Sequence, residues 1–344
     1  MPLALTGVAD FTAMTIANYE RGIWTDLSLD LPDYVSTRMI KDHMVYNEGG
    51  TQLTWDVQVD YTDTFRATGP YDVDITPTGD DMIQASVPWK HYTANYSYDL
   101  KLDTFQSGRE TIISYVVEKE HGMRNSIADG LERETWSLAP SGSARAQTIP
   151  YYIVKSSTTP GGALTGGAPS GYTTVADINP TTYDQWRNWA GIYTNVTTDD
   201  LISKVKKAMF NTNFIAPDPH PELGFSKAMV GLYTVYSVRE SLERLAETRN
   251  DRLGSDVAMF VGKVTIGGTP VTAVPYLDAN DSTNPVYGIN WRYMRPFSKR
   301  GEWMKLTGPK DAPNQHTVKN VFCDITWNWK CVNRRAQWVM STGT

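Results

Sequence analysis

Toward its C-terminal end the chain alternates apolar and polar positions with a period of two. Val321, Cys323, Ile325, Trp327, Trp329 and Cys331 fall on one side, and Asp324, Thr326, Asn328 and Lys330 on the other. That pattern predicts a long strand with one buried face. Asn333-Arg334-Arg335 interrupts it and Trp338 and Met340 resume it, which predicts a turn into a returning strand. A second alternation runs through Leu53, Trp55, Val57, Val59 and Tyr61, and a third through Ile83, Ala85, Val87, Trp89 and His91. Between them, Thr62 to Asp81 is rich in Gly, Pro and Asp. The three segments predict a long two-stranded ribbon with a tip of about 20 residues, and Pro88 marks it as an edge structure.

The period then changes. Ile112, Val116, Met123, Ile127 and Leu131 recur at helical spacing between Thr104 and Ala139, and Pro140 ends the run. Gly122 and Gly130 each cost about 1 kcal/mol against Ala inside such a helix, so close approach of another backbone or a bend is expected there. Residues 141–183, with GGALTGGAPSG at their centre, read as a mobile surface loop. Within it, Gly161 to Gly171 is expected to tolerate insertion. A second helix is predicted from Asp199 to Phe210, capped by Thr198, with Leu201, Val205 and Met209 inward. Ser237-Val238-Arg239-Glu240 has the form of a capping box opening a third helix with Leu242 and Leu245 inward. Phe260–Ile266 and Pro270–Val274 flank Gly267-Gly268 as a hairpin. Residues 1–50 suggest an arm that packs on something else.

Three strings carry a family resemblance: VYSVRESLERLAETRNDRLGSDVAMFVGKVTIGGTPVTAVPYLD (235–278), NPVYGINW (284–291), and the Trp- and Arg-rich stretch from Tyr287 to Met340. Over roughly its last third the chain resembles the major capsid proteins of tailed bacteriophages, which have the Hong-Kong-97-type fold. The preceding two thirds agree in the order of their elements. The resemblance implies an α+β chain with an N-terminal arm (1–50), an extended β-hairpin loop (51–103), a peripheral-domain spine helix (104–140), an axial domain (141–285) and a return to peripheral-domain strands (286–344). It further implies a structural subunit that self-assembles as hexamers and pentamers into an icosahedral shell around double-stranded DNA, without sequence-specific DNA binding. Its implied partners are a scaffolding protein, a portal protein and a decoration or cement protein. The implied location is the virion, after assembly in the host cytoplasm. Some relatives carry an N-terminal scaffolding segment that is not seen here, so scaffolding in trans or prior cleavage is expected. Others crosslink Lys to Asn; Lys90 lies on the ribbon, but no motif carries that chemistry over.

Composition narrows the alternatives. A length of 344 residues suits one elaborated domain or two lobes, and 11 Trp, 19 Tyr and 9 Phe can fill a large core. No apolar run reaches about 18 residues and the N-terminus lacks the form of a signal peptide, so a soluble chain made in the cytoplasm, with no membrane partner, is expected. The two cysteines, eight positions apart on one strand, lie roughly 26 Å apart at about 3.3 Å per residue. They are therefore expected to be free and buried.

The charge is uneven. Residues 50–103 hold nine Asp and three basic residues, for a net −6, whereas 290–344 hold ten basic residues and three acids, for a net +7. One reading is two solvated faces; the other is that Asp56, Asp60, Asp63, Asp72, Asp74, Asp80 and Asp81 of one copy meet Arg292, Arg295, Arg334 and Arg335 of a neighbour. The sequence holds no phosphate loop, no His pair at metal spacing and no nucleophile elbow. No catalytic residue, cofactor or metal is therefore expected. His220, between Asp218-Pro219 and Pro221-Glu222, could mark a metal or acid–base site, against the plain reading of a stiff turn. Trp327 and Trp329 could stack on bases, against packing in the core. An encapsulin shell and a secreted or tail-associated carbohydrate-active protein are the alternative functions.

Overall fold

The alternation around Trp55 produces the predicted ribbon as far as Pro88; Lys90 and His91, expected on it, belong instead to the strand that follows. β2 (Gln52–Gln58) pairs antiparallel with β3 (Met82–Pro88), from Gln52 opposite Pro88 to Gln58 opposite Met82. The ladder continues to Val59, whose N–H donates to the Asp81 carbonyl at 3.0 Å. Leu53, Trp55, Val57, Val59, Ala85 and Val87 are buried on one face, while Thr54, Asp56 and Gln58 are exposed on the other. This is a half-buried antiparallel pair.

The computed structural model describes residues 35–60, 65, 67–71, 81–101, 109–156, 158–196, 200–214, 219–220, 224–228, 230–250, 264–313 and 315–343. The predicted arm before residue 35, most of the tip and the Thr198 cap lie outside them. The chain forms two compact units. The larger lies within Tyr34–Tyr92, Leu131–Trp303 and Ile325–Thr344, and the described part of the smaller lies within Thr93–Gly130 and Met304–Asp324.

In the larger unit a mixed sheet has the strand order β10-β11-β9-β12-β16-β6-β5. Its strands are β5 (Ala163–Gly166), β6 (Asn188–Ile192), β9 (Val230–Thr234), β10 (Thr265–Ile266), β11 (Thr269–Ala273), β12 (Val286–Asn290) and β16 (Trp338–Ser341). Every described residue of β9, β12 and β16 is buried, as expected for central strands. β10 and β11 form the predicted hairpin. Gly267 and Gly268 both take positive φ, +59° and +82°, the conformation this tight turn needs.

The same unit contains α1 (Val35–His43), β1 (Val45–Asn47), α3 (Ile149–Tyr152), α4 (Asp200–Asn211), α5 (Tyr236–Asn250), α6 (Pro275–Asn280) and β13 (Met294–Lys299). β1 runs parallel to β13, and β13 runs antiparallel to β15 (Gln315–Cys331), with Met294 opposite Cys331. An aromatic cluster fills this core. Trp291, Trp327, Trp329 and Trp338 are fully buried, and the His43 ring stacks on Trp291 at 4.3 Å with 5° between the planes. Trp291 in turn meets Trp329 at 6.0 Å and the edge of Tyr233 at 6.1 Å.

In the smaller unit β14 (Lys305–Ala312) pairs with the first part of β15, from Lys305 opposite Asp324. β4 (Lys90–Asp99) and α2 (Arg109–Trp136) contribute residues to both units. α2 matches the predicted long helix, with Met123, Ile127 and Leu131 buried.

Five further sequence expectations need correction. β15 is buried on both faces toward its end, because the Asn328 amide is satisfied internally. Its oxygen accepts from Gln147 N at 2.9 Å, and its nitrogen donates to the Pro88 carbonyl at 2.7 Å. The strand after Arg335 does not return to pair with β15; β16 instead enters the other sheet between β12 and β6. Residues 141–183 are no loose loop: Ala146, Ile149, Tyr152, Val175 and Ile178 are buried there, and β5 pairs with β6. At Gly122 and Gly130 no described atom comes within 4 Å of where a Cβ would stand, so neither marks a close backbone approach. Finally, α5 starts one residue before the predicted cap, and its first N–H, on Tyr236, donates to Asp278 Oδ1 of α6 at 3.1 Å. A partner 42 residues away serves that helix end.

Candidate assembly surface

The residues expected to join subunits fall into distinct environments. Asp56 projects from the solvent face of β2, and Asp60 and Asp81 flank the point where the described ladder ends. Asp63, Asp72, Asp74 and Asp80 lie outside the described residues. The apolar face of the ribbon meets the sheet through Lys330, whose Nζ stands 5.2 Å from the Trp55 ring and 5.6 Å from the Phe297 ring. Burial pulls the Lys330 ammonium below its usual range, and the Asp56 carboxylate opposes that shift.

The base of the ribbon is held by polar contacts. Ser86 donates to the Asp177 carboxylate, and Ser86 N reaches the Ala176 carbonyl at 3.3 Å. Lys90 Nζ donates to the Ser143 carbonyl at 2.6 Å, and Trp89 Nε1 to the Gly50 carbonyl at 3.1 Å. Nearby, buried Glu134 accepts from Arg145 Nε at 2.8 Å and from the Tyr92 hydroxyl at 3.0 Å. Desolvation by burial pushes the Tyr92 phenol far up, so it stays a neutral donor.

Of the four arginines, Arg292 and Arg335 are exposed and Arg295 is half-buried, its Nε donating to the Trp291 carbonyl at 2.8 Å. Arg335 also donates to Gln185 Oε1. Arg334 is a correction. It is fully buried and cannot face a neighbouring subunit. Its Nε donates to the Tyr152 carbonyl at 2.9 Å and its Nη1 to the Trp186 carbonyl at 2.7 Å. Its Nη2 reaches the Gly167 carbonyl at 2.8 Å, the Gly166 carbonyl at 3.3 Å and Asn188 Oδ1 at 3.4 Å. Burial pulls the guanidinium down to about 10, which leaves it charged at neutral pH. Alternating charge and apolarity gave no sign of this role. The signal available in sequence was a basic residue set between Cys331 and Trp338, both core positions.

The other candidates resolve simply. Trp327 and Trp329 are in the core and offer no face to a base. His220 lies in β7 (Pro219–His220), paired with β8 (Gly224–Ala228), while Asp218 and Glu222 lie outside the described residues. Cys323 and Cys331 are free and buried, as their spacing on one strand requires. No helix among the described residues is long and apolar enough to cross a membrane.

No protein-family model and no curated protein matches the chain. Solved structures do. The cyanophage A-1(L) capsid subunit is similar over 92% of this chain and 95% of its own, at 12% identity and a TM-score of 0.59. The capsid of a native GTA particle is similar over 94% and 95%, at 10% identity and a TM-score of 0.54. The SrpI encapsulin of Synechococcus elongatus is similar over 95% and 94%, at 12% identity and a TM-score of 0.50. The chain therefore has the α+β capsid fold of the Hong-Kong-97 type, as the resemblance implied.

Proposed function

We propose that this chain is the major capsid protein of a tailed bacteriophage, a subunit that self-assembles into an icosahedral head around double-stranded DNA. The observation that carries this reading is the near end-to-end correspondence with the cyanophage capsid subunit, in which almost none of either chain is left over. A structural role needs repeated interfaces and no reacting group. The domain divisions at residues 50, 103, 140 and 285 belong to this reading, with hexamers and pentamers as its oligomers. Scaffolding, portal and decoration proteins are its partners, and the virion is its location.

The lattice contact belongs to the same reading, without Arg334. Asp56 and the tip aspartates would face Arg292, Arg295 and Arg335 of a neighbour. Each such pair contributes about 0.2–1 kcal/mol at an exposed site, and repetition across the shell makes the sum matter. An encapsulin shell is the second reading, favoured by the similarity to SrpI. Negative-stain microscopy and sizing of the purified protein test the proposal: closed particles support a shell, and a monomer active on glycans overturns it. Particles from the producing cell separate the two shells, since co-purifying double-stranded DNA marks a phage head and co-purifying enzyme cargo marks an encapsulin.

A further inference from the structure

A buried indole N–H without an acceptor calls for an explanation. Of the tryptophans whose Nε1 is buried with no protein acceptor among the described residues, Trp327 and Trp329 share one file of rings in the larger unit. Trp291 meets Trp329 at 6.0 Å between ring centroids, Trp329 meets Trp327 at 6.3 Å, and Trp327 meets Tyr92 at 6.2 Å. The surroundings change at the end of the file. The three indoles are fully buried, whereas Tyr92 is half-buried. Its hydroxyl donates to Glu134 Oε2 at 3.0 Å and accepts from Ala146 N at 2.7 Å. The same carboxylate oxygen accepts from Arg145 Nε at 2.8 Å.

We propose that Trp291, Trp329, Trp327 and Tyr92 form a relay that carries an oxidising equivalent out of the aromatic core to Tyr92, with Glu134 as the proton acceptor. The oxidant is a one-electron radical oxidant, or an ultraviolet photon that ejects an electron from an indole; either leaves an indole radical cation in the core. Such a cation is fixed in place when its N–H proton passes to a base. Trp327 and Trp329 have no protein base at Nε1, so each keeps its proton until an electron from the next ring restores it. At Tyr92 the electron leaves toward Trp327 and the hydroxyl proton crosses to Glu134 Oε2, within the distance that proton transfer needs. The products are an intact indole, a neutral phenoxyl radical and a carboxylic acid. Charge sets the direction. A cation among apolar rings is costly, while the same positive charge delivered to Glu134 neutralises a buried anion. An external one-electron reductant then returns the electron to the half-buried ring, and Glu134 returns the proton. The relay works within one chain and does not depend on the shell reading.

Laser flash photolysis of the full chain, with an electron scavenger present, tests it, because light reaches buried and exposed indoles alike. Indole radical absorbance should decay as phenoxyl absorbance rises, at a rate that is independent of protein concentration and slower in heavy water. Tyr92→Phe keeps the ring and should lose most of the phenoxyl rise. Glu134→Gln keeps an acceptor for the hydroxyl but no base, and should slow the rise. In Tyr92→Phe lasting oxidation should move to Trp303, a half-buried ring 6.2 Å from Trp327. Spin trapping followed by peptide mass spectrometry needs no variant: on the wild-type chain the adduct should sit on Tyr92. A phenoxyl rise unchanged in Tyr92→Phe, or adducts on other tyrosines with none on Tyr92, overturns the relay.

Discussion

Arg334→Met should unfold the monomer several degrees earlier while Arg335→Met, one position on, should do almost nothing. The guanidinium of Arg334 joins α3, β5, β6 and the turn at Trp186 through four main-chain carbonyls and the Asn188 amide. Replacing a buried ion and its partners with apolar groups can be neutral, but here the partners are backbone and cannot be replaced. Each carbonyl left facing a thioether costs about 1–3 kcal/mol. Relief from burying a charge offsets part of that sum. A net loss of about 4 kcal/mol follows, or roughly 8–16 °C in melting temperature for a unit of this size. Arg334→Lys keeps the charge but replaces a planar fork with three donors on one atom, so it should recover less than half of the loss. Arg335 is exposed, and its loss should stay within about 0.5 kcal/mol. Thermal unfolding by circular dichroism at low concentration separates these effects from assembly. If Arg334→Met melts within about 2 °C of the wild type, the carbonyl cage is not what holds these elements together.

Gly166→Ala should be as damaging, because a Cβ there would overlap the Asn188 side chain that helps hold Arg334; a tag inserted between Gly161 and Gly171 should likewise yield insoluble chain, and soluble wild-type-like monomer from either would refute the packing described. Asp281 is penalised by burial, yet hydrogen bonds from Lys155 and Thr283 outweigh that and hold its carboxyl below the ordinary range. A depressed carboxylate contributes stability that is present above its unfolded value and is lost as pH falls through the folded one. Asp281→Asn should therefore flatten the acid limb of the stability profile, and an unchanged limb would show that the pair with Lys155 is neutral. Burial pushes the Cys331 thiol up to about 12 and also raises Cys323. Neither should react with a thiol reagent in the native protein at pH 8, and stoichiometric labelling would contradict the burial. Exchanging Asp60 and Asp81 for Asn should raise the salt-sensitive assembly threshold, read by light scattering across ionic strengths; identical salt curves would mean the tip acids are only solvated.

Local periodicity revealed what depends on local sequence. Each strand of the ribbon, α2, the Gly267-Gly268 hairpin and the free cysteines follow from residues near one another in the sequence. Long-range partners were invisible for the same reason. Nothing near Ser237 announces that Asp278 caps α5, and nothing near Arg335 says that β16 will leave β15 for another sheet. Residues 141–183 misled because Gly, Ser and Thr signal flexibility only when solvent surrounds them. Here glycines are needed where Trp189, Asn188 and Met340 press against the backbone. Among the expected contact residues, charge placed Arg334 with Arg335, although only burial distinguishes them.

The position of β16 sets a clock on synthesis. It pairs with β6 on one side, Trp338 opposite Trp189, and with β12 on the other, Trp338 opposite Gly288. Until residue 338 has been made, both neighbours present bare backbone edges. The interval from β6 is about 150 residues, roughly 7–30 s at about 5–20 residues per second. During that time the β6 edge stands open, and over the last stretch of about 48 residues, once β12 is made, a nascent chain on one ribosome carries two open edges past its neighbours on the same message. A chaperone that shields those edges would act before one copy meets another, so codon substitutions that slow translation between residues 192 and 338 should lower the soluble yield without altering a single amino acid.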